Sequence, residues 1–311
     1  MTSYLDSRAA QDIPAPSRRR RTSDNGIAYL FISPAVLLFV LFIAGPLAAA
    51  IVLSFFKWNL LSSPGWAGLD NFSRLFTDPT LIQVFGNTFL FASASVLTHV
   101  VIGLLLALAA NRALTKFAAF WFRTTVFLPF LISWAAVSLL WKYVLDPNLG
   151  YVTYYLHVFG IHAPNWLVDP GWAMVSILAI DWWHTIGYTF VILLAGLQTV
   201  PFELQEAAMV DGANAWRRFW SVTLPSLSPT LFFVMIVTFI GAFQVFDPMF
   251  ILTDGGPGHS TESVVLYVYR QAFQRFDVGY ASAIAIVVFV VIATLSVIQF
   301  RLSRRWVLTN D

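Results

Sequence analysis

The sequence predicts an all-α membrane protein with six transmembrane helices. Of its 311 residues, 58% are hydrophobic and only 11% are charged, whereas soluble proteins carry about 25% charged residues. Because lipid offers no partner for backbone N–H and C=O groups, each span needs about 20 predominantly apolar residues in one helix. Six stretches meet this requirement and together form one predicted domain. We place the spans at residues 27–56, 82–111, 120–145, 171–198, 224–252 and 278–303, within a domain over residues 27–305.

A polar, basic segment over residues 1–26 precedes the first span. It contains four consecutive arginines at 18–21. We interpret these arginines as a cytoplasmic anchor beside anionic lipid rather than as a nucleic-acid-binding site. The first apolar stretch is too long and too far from the N-terminus for a secretory signal peptide, and we predict that it is retained.

The distribution of lysine and arginine predicts the orientation of the chain. With the N-terminus in the cytoplasm, thirteen of the 18 basic residues fall on the cytoplasmic side and five outside. The positive-inside rule therefore predicts that both termini are cytoplasmic, with residues 306–311 as a short tail. The thirteen are Arg8, Arg18, Arg19, Arg20, Arg21, Arg112, Lys116, Arg123, Arg217, Arg218, Arg301, Arg304 and Arg305, and the five are Lys57, Arg74, Lys142, Arg270 and Arg275.

The segment over residues 200–225, between the fourth and fifth spans, has the signals of a helix–turn–helix. Pro201 suits the first turn of a helix, and Glu203 favours its positive N-terminal end. Gly212 suits a left-handed stop. A second short helix is expected to begin near Ala213 or Asn214 and to end before Leu224 and Pro225, because a residue before proline avoids the helical region.

Two interpretations of this segment are open on physical grounds. It could be a well-folded loop alone, or it could be a projection that fits a partner's cleft. Ala207 and Ala208 permit close backbone approach, Glu206 offers a charge for an arginine, and Trp216 and Phe219 offer aromatic anchors.

The same segment resembles the EAA signature of binding-protein-dependent ABC importer permeases. The matching residues are Glu206, Ala207, Ala208, Asp211, Gly212, Ala213, Phe219, Leu224, Pro225 and Pro229. Two further stretches resemble elements of that family and of its carbohydrate branch, the maltose and glycerol-3-phosphate type. These are residues 68–72 in the first outer loop, and Phe246, Asp247, Leu252, Thr253, Gly255, Gly256, Pro257, Gly258, Ser260 and Thr261 after the fifth span.

This resemblance implies a type I ABC importer permease core in a bacterial inner membrane, with a cytoplasmic coupling helix between the fourth and fifth spans. The implied partners are a second homologous permease subunit, two cytoplasmic ABC ATPases and an extracytoplasmic solute-binding protein. The chain would be non-catalytic, with ATP and Mg bound by the ATPases and no cofactor of its own. The residues implied in ATPase coupling are Glu206, Ala207, Ala208, Asp211, Gly212, Arg217 and Phe219.

Polar residues inside the spans are the candidates for the solute pathway, because an unpaired polar group in lipid is costly. Asp181, His184, Thr185 and Tyr188 share one face of the fourth span at helical spacing. The fifth span contributes Thr238, Gln244 and Asp247. Purely structural roles are equally open: Asp181 could pair with His184 as a packing contact, and Asp247 could end a helix. We interpret His99 of the second span as a packing histidine.

The sequence gives weaker support for other functions. Gly255, Gly256, Pro257 and Gly258 lack the lysine of a phosphate-binding loop, and the spacing of the histidines and acids predicts no metal site. The leading prediction is import of a sugar, oligosaccharide or glycerol-phosphate-type solute by alternating access. The alternatives are a proton-coupled secondary carrier and an intramembrane enzyme, both of which would use Asp181 and His184.

Overall fold

The computed structural model describes residues 22–111 and 115–304, and their side chains from residue 28 onward. Several basic residues that support the predicted orientation lie outside these ranges, as do most of the polar segment 1–26 and the tail 306–311. The basic residues outside the described ranges are Arg8, Arg18, Arg19, Arg20, Arg21, Arg112 and Arg305.

The described chain is mostly helical. Its α-helices are α1 (Thr22–Phe39), α2 (Gly45–Leu53), α3 (Asp70–Leu75), α4 (Pro79–Ala110), α5 (Lys116–Phe127), α6 (Trp134–Val144), α7 (Tyr151–Val158), α8 (Pro170–Gln198), α9 (Phe202–Val210), α10 (Ala215–Arg218), α11 (Leu224–Phe243), α12 (Asp247–Thr253), α13 (Val264–Tyr269) and α14 (Val278–Ser303). A short antiparallel hairpin pairs β1 (Phe56–Lys57) with β2 (Gly65–Trp66). Among the described residues, five helices are long and apolar enough to cross a membrane, or six if one sharply bent pair counts as a span.

The chain divides into two compact units at residues 49 and 50, inside the first predicted span. In the first unit, α1 is followed by a π-helical turn, Val40–Ala44, and by the start of α2. The large apolar side chains of α1, such as Phe31 and Leu37, are exposed. An apolar, exposed helix of this kind fits a lipid-facing position.

The second unit is built on α4, α8 and α11, which pack against one another. One core cluster joins the C-terminal half of α4 to the C-terminal half of α8 and the first turns of α11, with Ala107, Phe190 and Leu227 fully buried. A larger cluster, which includes Phe91 and Phe243, fills the opposite half of the bundle. The same three helices therefore carry two separate apolar clusters, with Ser95 and Asp181 at positions between them along α4 and α8.

The predicted third span, residues 120–145, is not one straight helix. A 3₁₀ turn, Leu128–Leu131, follows α5, and Lys116–Leu131 and Trp134–Val144 meet at an angle of 97°. The chain is extended at Ile132, and the Ser133 hydroxyl caps the new helix by accepting from the Ala136 amide at 3.4 Å. A proline in the turn, Pro129, and a serine N-cap explain the break.

The predicted fifth span, residues 224–252, also differs at both ends. It is broken near its end, because α11 stops at Phe243 and α12 starts at Asp247. The ring of Pro248 is incompatible with an uninterrupted helix at this point. At the start of this span, the prediction that the second short helix ends before Leu224 is wrong. That helix, α10, continues into α11 through a π-helical turn, Phe219–Thr223. That turn changes the hydrogen-bond pattern just where Pro225 lacks an N–H.

The loops between β1 and α4 and between α12 and α14 form one hydrogen-bonded cluster. Asp78 caps α4 by accepting from the Thr80 and Leu81 amides, and its other oxygen accepts from Tyr267 at 2.7 Å and Tyr280 at 2.8 Å. Burial and the hydrogen bond to Asp78 raise the pKa of Tyr267 to about 12. The start of α4 is thereby fixed to α13 and α14.

A second buried contact in these loops holds the glycine-rich stretch after α12. The Glu262 side chain is fully buried and accepts from Arg270 at 2.8 Å, while its second oxygen contacts His259. Arg270 also contacts the Asp254 carboxylate at 2.9 Å. From α4, Asn87 donates to the His259 carbonyl at 2.6 Å. The loop is therefore anchored on the bundle from two sides.

Candidate functional site

A cavity of 290 Å³ lies between α4, α8 and α11, beside the break that separates α11 from α12. The bend between α5 and α6 contributes a further part of its wall. The lining residues are Phe91, Ser95, His99, Phe130, Trp134, Asp181, Thr185, Tyr188, Thr189, Val237, Thr238, Gly241, Ala242, Gln244, Val245, Phe246, Asp247 and Pro248.

Six of the seven residues that the sequence suggests for the solute pathway line this one cavity. From α8 these are Asp181, Thr185 and Tyr188, and the others are Thr238 on α11, Gln244 directly after α11 and Asp247 at the start of α12. The seventh, His184, is outside the lining. The structure thus brings together residues that are up to 66 positions apart, as Asp181 and Asp247 are, while their role in transport stays a prediction.

The base of the cavity is a closed hydrogen-bond network between α4 and α8. Ser95 donates to the Asp181 carboxylate at 2.7 Å, and Nε2 of His99 lies 2.6 Å from the Thr185 hydroxyl. The Thr185 hydroxyl also lies 2.7 Å from the Asp181 carbonyl. Ser95, His99 and Asp181 are all buried. Buried polar groups are costly unless they are hydrogen-bonded, and these groups satisfy one another.

The same network fixes a proton on His99. Its Nδ1 lies 2.7 Å from the Ser95 carbonyl, which can only accept a hydrogen bond, so Nδ1 carries the proton. If the ring is neutral, Nε2 accepts from the Thr185 hydroxyl, and if the ring is protonated, Nε2 donates to it. The Thr185 hydroxyl has a single proton, so it donates either to Nε2 of His99 or to the Asp181 carbonyl, and not to both at once.

A second set of polar side chains in the cavity has no such partners. Tyr188, Thr238, Gln244 and Asp247 make no side-chain hydrogen bond to any described residue. Gln244 and Asp247 are exposed, and Tyr188 and Thr238 are half-buried. The unused hydrogen-bonding groups of the cavity therefore belong to Tyr188 on α8, to Thr238 on α11, and to Gln244 and Asp247 at the break between α11 and α12.

Aromatic rings border these unpartnered groups. Phe130 stacks on Tyr188 with ring centroids 5.3 Å apart and 27° between the planes. Phe246 stacks on Phe250 at 5.3 Å and 22°. A site that offers flat ring faces beside hydrogen-bonding groups suits a ligand with both apolar faces and hydroxyls.

His184 does not pair with Asp181, so the packing contact considered from the sequence is wrong. Its Nε2 lies 2.8 Å from the Ile132 carbonyl, in the bend between α5 and α6. Its ring packs on Trp134 at a centroid distance of 4.2 Å. Nδ1 is buried and has no partner among the described residues. The extended backbone at Ile132 exposes a carbonyl that a straight third span would have bonded internally, and His184 donates to it.

Twelve of the eighteen lining residues are absent from the predicted pathway set, and they include Ser95, His99, Phe130 and Trp134. Phe91, Ser95 and His99 occur four residues apart on α4, so they share one face. This spacing was available in the sequence and indicates a polar strip facing α8. His99 was interpreted as a packing histidine, and it does pack, but it also lines the cavity.

The segment between α8 and α11 forms two helices joined by a tight turn. Gly212 has a φ of +73° after α9, and Asn214 caps α10 by accepting from the Arg217 amide at 2.9 Å. Glu206 is exposed and makes no ion pair within the part of the chain that the structure describes. Trp216 packs on Trp220 at 5.6 Å. Docking of this helix–turn–helix on an ATPase stays a prediction.

No group of three or more His, Asp or Glu among the described residues lies in an arrangement that could hold a metal ion.

Comparison with known proteins identifies the family. Residues 99–308 match the family described as "Binding-protein-dependent transport system inner membrane component". The chain is 36% identical to the "Probable ABC transporter permease protein YurN" of Bacillus subtilis (strain 168), over 88% of this chain and 95% of the relative. It is 33% identical to the "Lactose transport system permease protein LacF" of Rhizobium radiobacter, over 93% of this chain and 97% of the relative.

A solved structure extends this similarity to three dimensions. A chain of a bacterial alginate ABC transporter, solved in complex with an alginate pentasaccharide-bound periplasmic protein, superposes with a TM-score of 0.81. The two chains are 25% identical, and the match covers 91% of this chain and 96% of that one. The fold is that of a type I ABC importer permease, and the chain belongs to the family of inner membrane components of binding-protein-dependent transport systems.

Proposed function

We propose that this chain is a membrane-spanning subunit of an ATP-driven importer that takes up a carbohydrate. The observation that carries the proposal is that the EAA-like segment is joined at both ends to helices that line the cavity. The polar cavity wall on α8 leads to its end at Gln198, and α9 starts at Phe202. On the other side, α10 runs without interruption into α11, which carries Thr238.

This connection supports a mechanism of alternating access. ATP-driven closure of two cytoplasmic ATPases would draw together the α9 helices of this chain and of a second permease subunit. Because α8 and α11 are joined to α9 by short connections, the helices around the cavity would move as a rigid body and open the cavity outward. ATP and Mg would be bound by the ATPases, and this chain would supply no catalytic step and hold no cofactor.

The charge distribution supports the predicted orientation. The C-terminal ends of α4 and α8 and the start of α11 share one core cluster. Arg217 and Arg218 lie directly before α11, and Lys116 follows α4 in the sequence. Basic residues at this end favour the cytoplasm. With it in the cytoplasm, the loops that hold Asp78 and Glu262 would face outward, toward a solute-binding protein.

The relatives support a carbohydrate as the solute. One is named for lactose transport and one belongs to an alginate importer. The stacked rings of Phe130 and Tyr188 beside the free groups of Gln244 and Asp247 suit such a solute. The proton-carrier and enzyme alternatives required Asp181 and His184 to act together. These residues bond in different directions, toward Ser95 and Ile132, so neither alternative is favoured.

The coupling role is tested by charge reversal on α9. Glu206→Lys is compared with Glu203→Lys, since both residues are exposed on the same helix but only Glu206 belongs to the EAA-like signature. The complex with its ATPases, second permease and binding protein is reconstituted in proteoliposomes. A panel of saccharides identifies the solute that stimulates ATP hydrolysis, and its uptake is then measured.

We expect Glu206→Lys to abolish solute-stimulated ATP hydrolysis and uptake, or to release the ATPases, while the chain remains inserted in the membrane. Glu203→Lys should retain both activities. Equal uptake by the two variants, with ATPases still attached, would contradict the coupling role. Uptake by this chain alone, driven by a proton gradient, would contradict ATP-driven import.

A further inference from the structure

The charged side chains that line the cavity are all acidic among the residues that the structure describes. They are Asp181 and Asp247, and no lysine or arginine joins them. The lining also contains one histidine, His99, whose ring nitrogens contact the Ser95 carbonyl and the Thr185 hydroxyl. The described cavity wall of this chain therefore presents no lysine or arginine to a bound solute.

The two carboxylates are not equivalent. Asp181 is buried and accepts from Ser95, so its carboxyl group is already engaged in the network between α4 and α8. Asp247 is exposed at the first turn of α12 and makes no hydrogen bond or ion pair to any described residue. Asp247 is thus the carboxylate that a solute meets.

Basic residues on the neighbouring elements are engaged elsewhere. Lys142 of α6 donates to the Ile251 carbonyl at 2.9 Å, outside the cavity lining. Arg270 is bonded to Glu262 and Asp254 in the loop after α12. Neither side chain forms an ion pair with Asp247, which is the exposed and unpaired charge of the cavity lining among the described residues.

We propose that this cavity accepts an uncharged carbohydrate and disfavours anionic solutes, and that Asp247 sets this discrimination. The inference rests on the proposed function and narrows it. The printed names of the similar proteins include a neutral sugar, lactose, and two anionic solutes, sn-glycerol-3-phosphate and the acidic polysaccharide alginate, so the names alone do not separate the two classes. The acidic lining of this cavity favours uncharged carbohydrates over anionic solutes.

The chemistry of the wall explains the selection. The Asp247 carboxylate and the Gln244 amide oxygen accept from sugar hydroxyls, and the Tyr188 and Thr238 hydroxyls both donate and accept. The faces of Phe130 and Phe246 take the apolar face of a sugar ring. A carboxylate or phosphate on the solute meets a like charge in a cleft with apolar walls, where electrostatic interactions are stronger than in water.

The absence of cysteine from the chain permits a direct test of this selection. Gln244→Cys introduces the only thiol of this subunit, on the cavity wall beside Asp247. In the purified whole complex, its rate of modification is measured with a cationic and an anionic methanethiosulfonate, the trimethylammonioethyl and sulfonatoethyl reagents. The mass of this subunit reports the reaction. The cation-to-anion rate ratio is divided by the ratio for 2-mercaptoethanol in the same buffer.

We expect a normalised ratio of about ten or more, because a charged cleft enriches counter-ions by at least about tenfold. The double variant Gln244→Cys with Asp247→Asn should bring the ratio close to one. Thr238→Cys repeats the measurement from a second lining position, on α11, if the first variant does not assemble.

Three outcomes would overturn the proposal. A normalised ratio at or below one would show that the cavity, including any contribution of the second permease, does not repel anions. An unchanged ratio in the Asp247→Asn background would remove Asp247 as the discriminating residue. No reaction with either reagent would show that solute-sized molecules do not reach this wall. The measurement needs no ATP, so its failure is distinct from a failure of ATP-driven uptake.

Discussion

Ser95 donates a hydrogen bond of 2.7 Å to the carboxylate of Asp181, and this contact joins α4 to α8 in the interior of the bundle. Both side chains are buried. The contact places a charged group, which the sequence marks as a pathway candidate, inside a satisfied structural network. Residues that fix the bundle and residues that are free to meet a solute are therefore distinguishable in the same cavity.

Ser95→Ala should destabilise the chain, because it leaves the buried Asp181 carboxylate without its donor. The expected loss is about 2 kcal/mol, the cost of an unsatisfied buried acceptor. The control is Thr98→Val on the same helix, since the Thr98 hydroxyl bonds only to carbonyls of its own helix. Thermal unfolding of the purified complex in detergent gives the comparison.

A double-mutant cycle separates this hydrogen bond from other effects of the substitution. Ser95→Ala should cost less in an Asp181→Asn background than in the wild type, because an amide is cheaper to leave unpaired than a carboxylate. Equal costs in both backgrounds would show that Ser95 and Asp181 do not depend on each other.

Gly187→Ala should disrupt the packing of α8 against α5. A Cβ at this position would lie 2.5 Å from the Val126 carbonyl oxygen and 2.8 Å from Cα of Phe127. Both are backbone atoms, which cannot rotate away, so we expect a loss of about 2 kcal/mol from overpacking. The readout is the melting temperature of the purified complex.

Gly86→Ala on α4 is the matched control for that substitution. A Cβ there would meet no atom within 4 Å. Alanine favours a helix interior over glycine by about 1 kcal/mol, so this variant should be as stable as the wild type or more so. If Gly187→Ala and Gly86→Ala had the same melting temperature, the close approach of α5 and α8 would be contradicted.

Asp78 should make the stability of the protein fall at acidic pH. Burial would raise its pKa, but hydrogen bonds from Tyr267, Tyr280 and two backbone amides outweigh burial and lower the pKa below its ordinary value. A carboxyl group whose pKa is lowered on folding adds stability above its unfolded pKa, about 3.9. That stability is lost as the pH falls through the folded value.

The measurement is the melting temperature of the wild type and of Asp78→Asn between pH 7 and pH 3. Asparagine keeps an oxygen that can accept from the amides and the tyrosines, but it does not titrate. The wild type should lose its advantage below about pH 4, where its carboxylate becomes protonated. Parallel curves for the two proteins over this range would exclude the contribution of Asp78.

The sequence was informative where one local rule dominates. Long apolar stretches predicted helices close to α4, α8 and α14, and Gly212 predicted the turn after α9. It was misleading where two rules compete: the apolar character of residues 120–145 and 224–252 masked the breaks near Pro129 and Pro248. Periodicity places residues on a face but does not give the direction of a side chain. Asp181 and His184 share a face and still bond to different elements.

Tyr188→Phe and Gln244→Ala should impair uptake while leaving the fold intact. Neither polar group has a partner among the described residues, so its removal leaves nothing unsatisfied in the unliganded chain. Loss of one hydrogen bond to the solute, worth about 1 kcal/mol, should raise the KM for uptake about fivefold. Ser95→Ala is the contrast, because its main effect should fall on stability. If both cavity variants matched the wild type in uptake and in melting temperature, the unpartnered groups would have no part in the solute pathway.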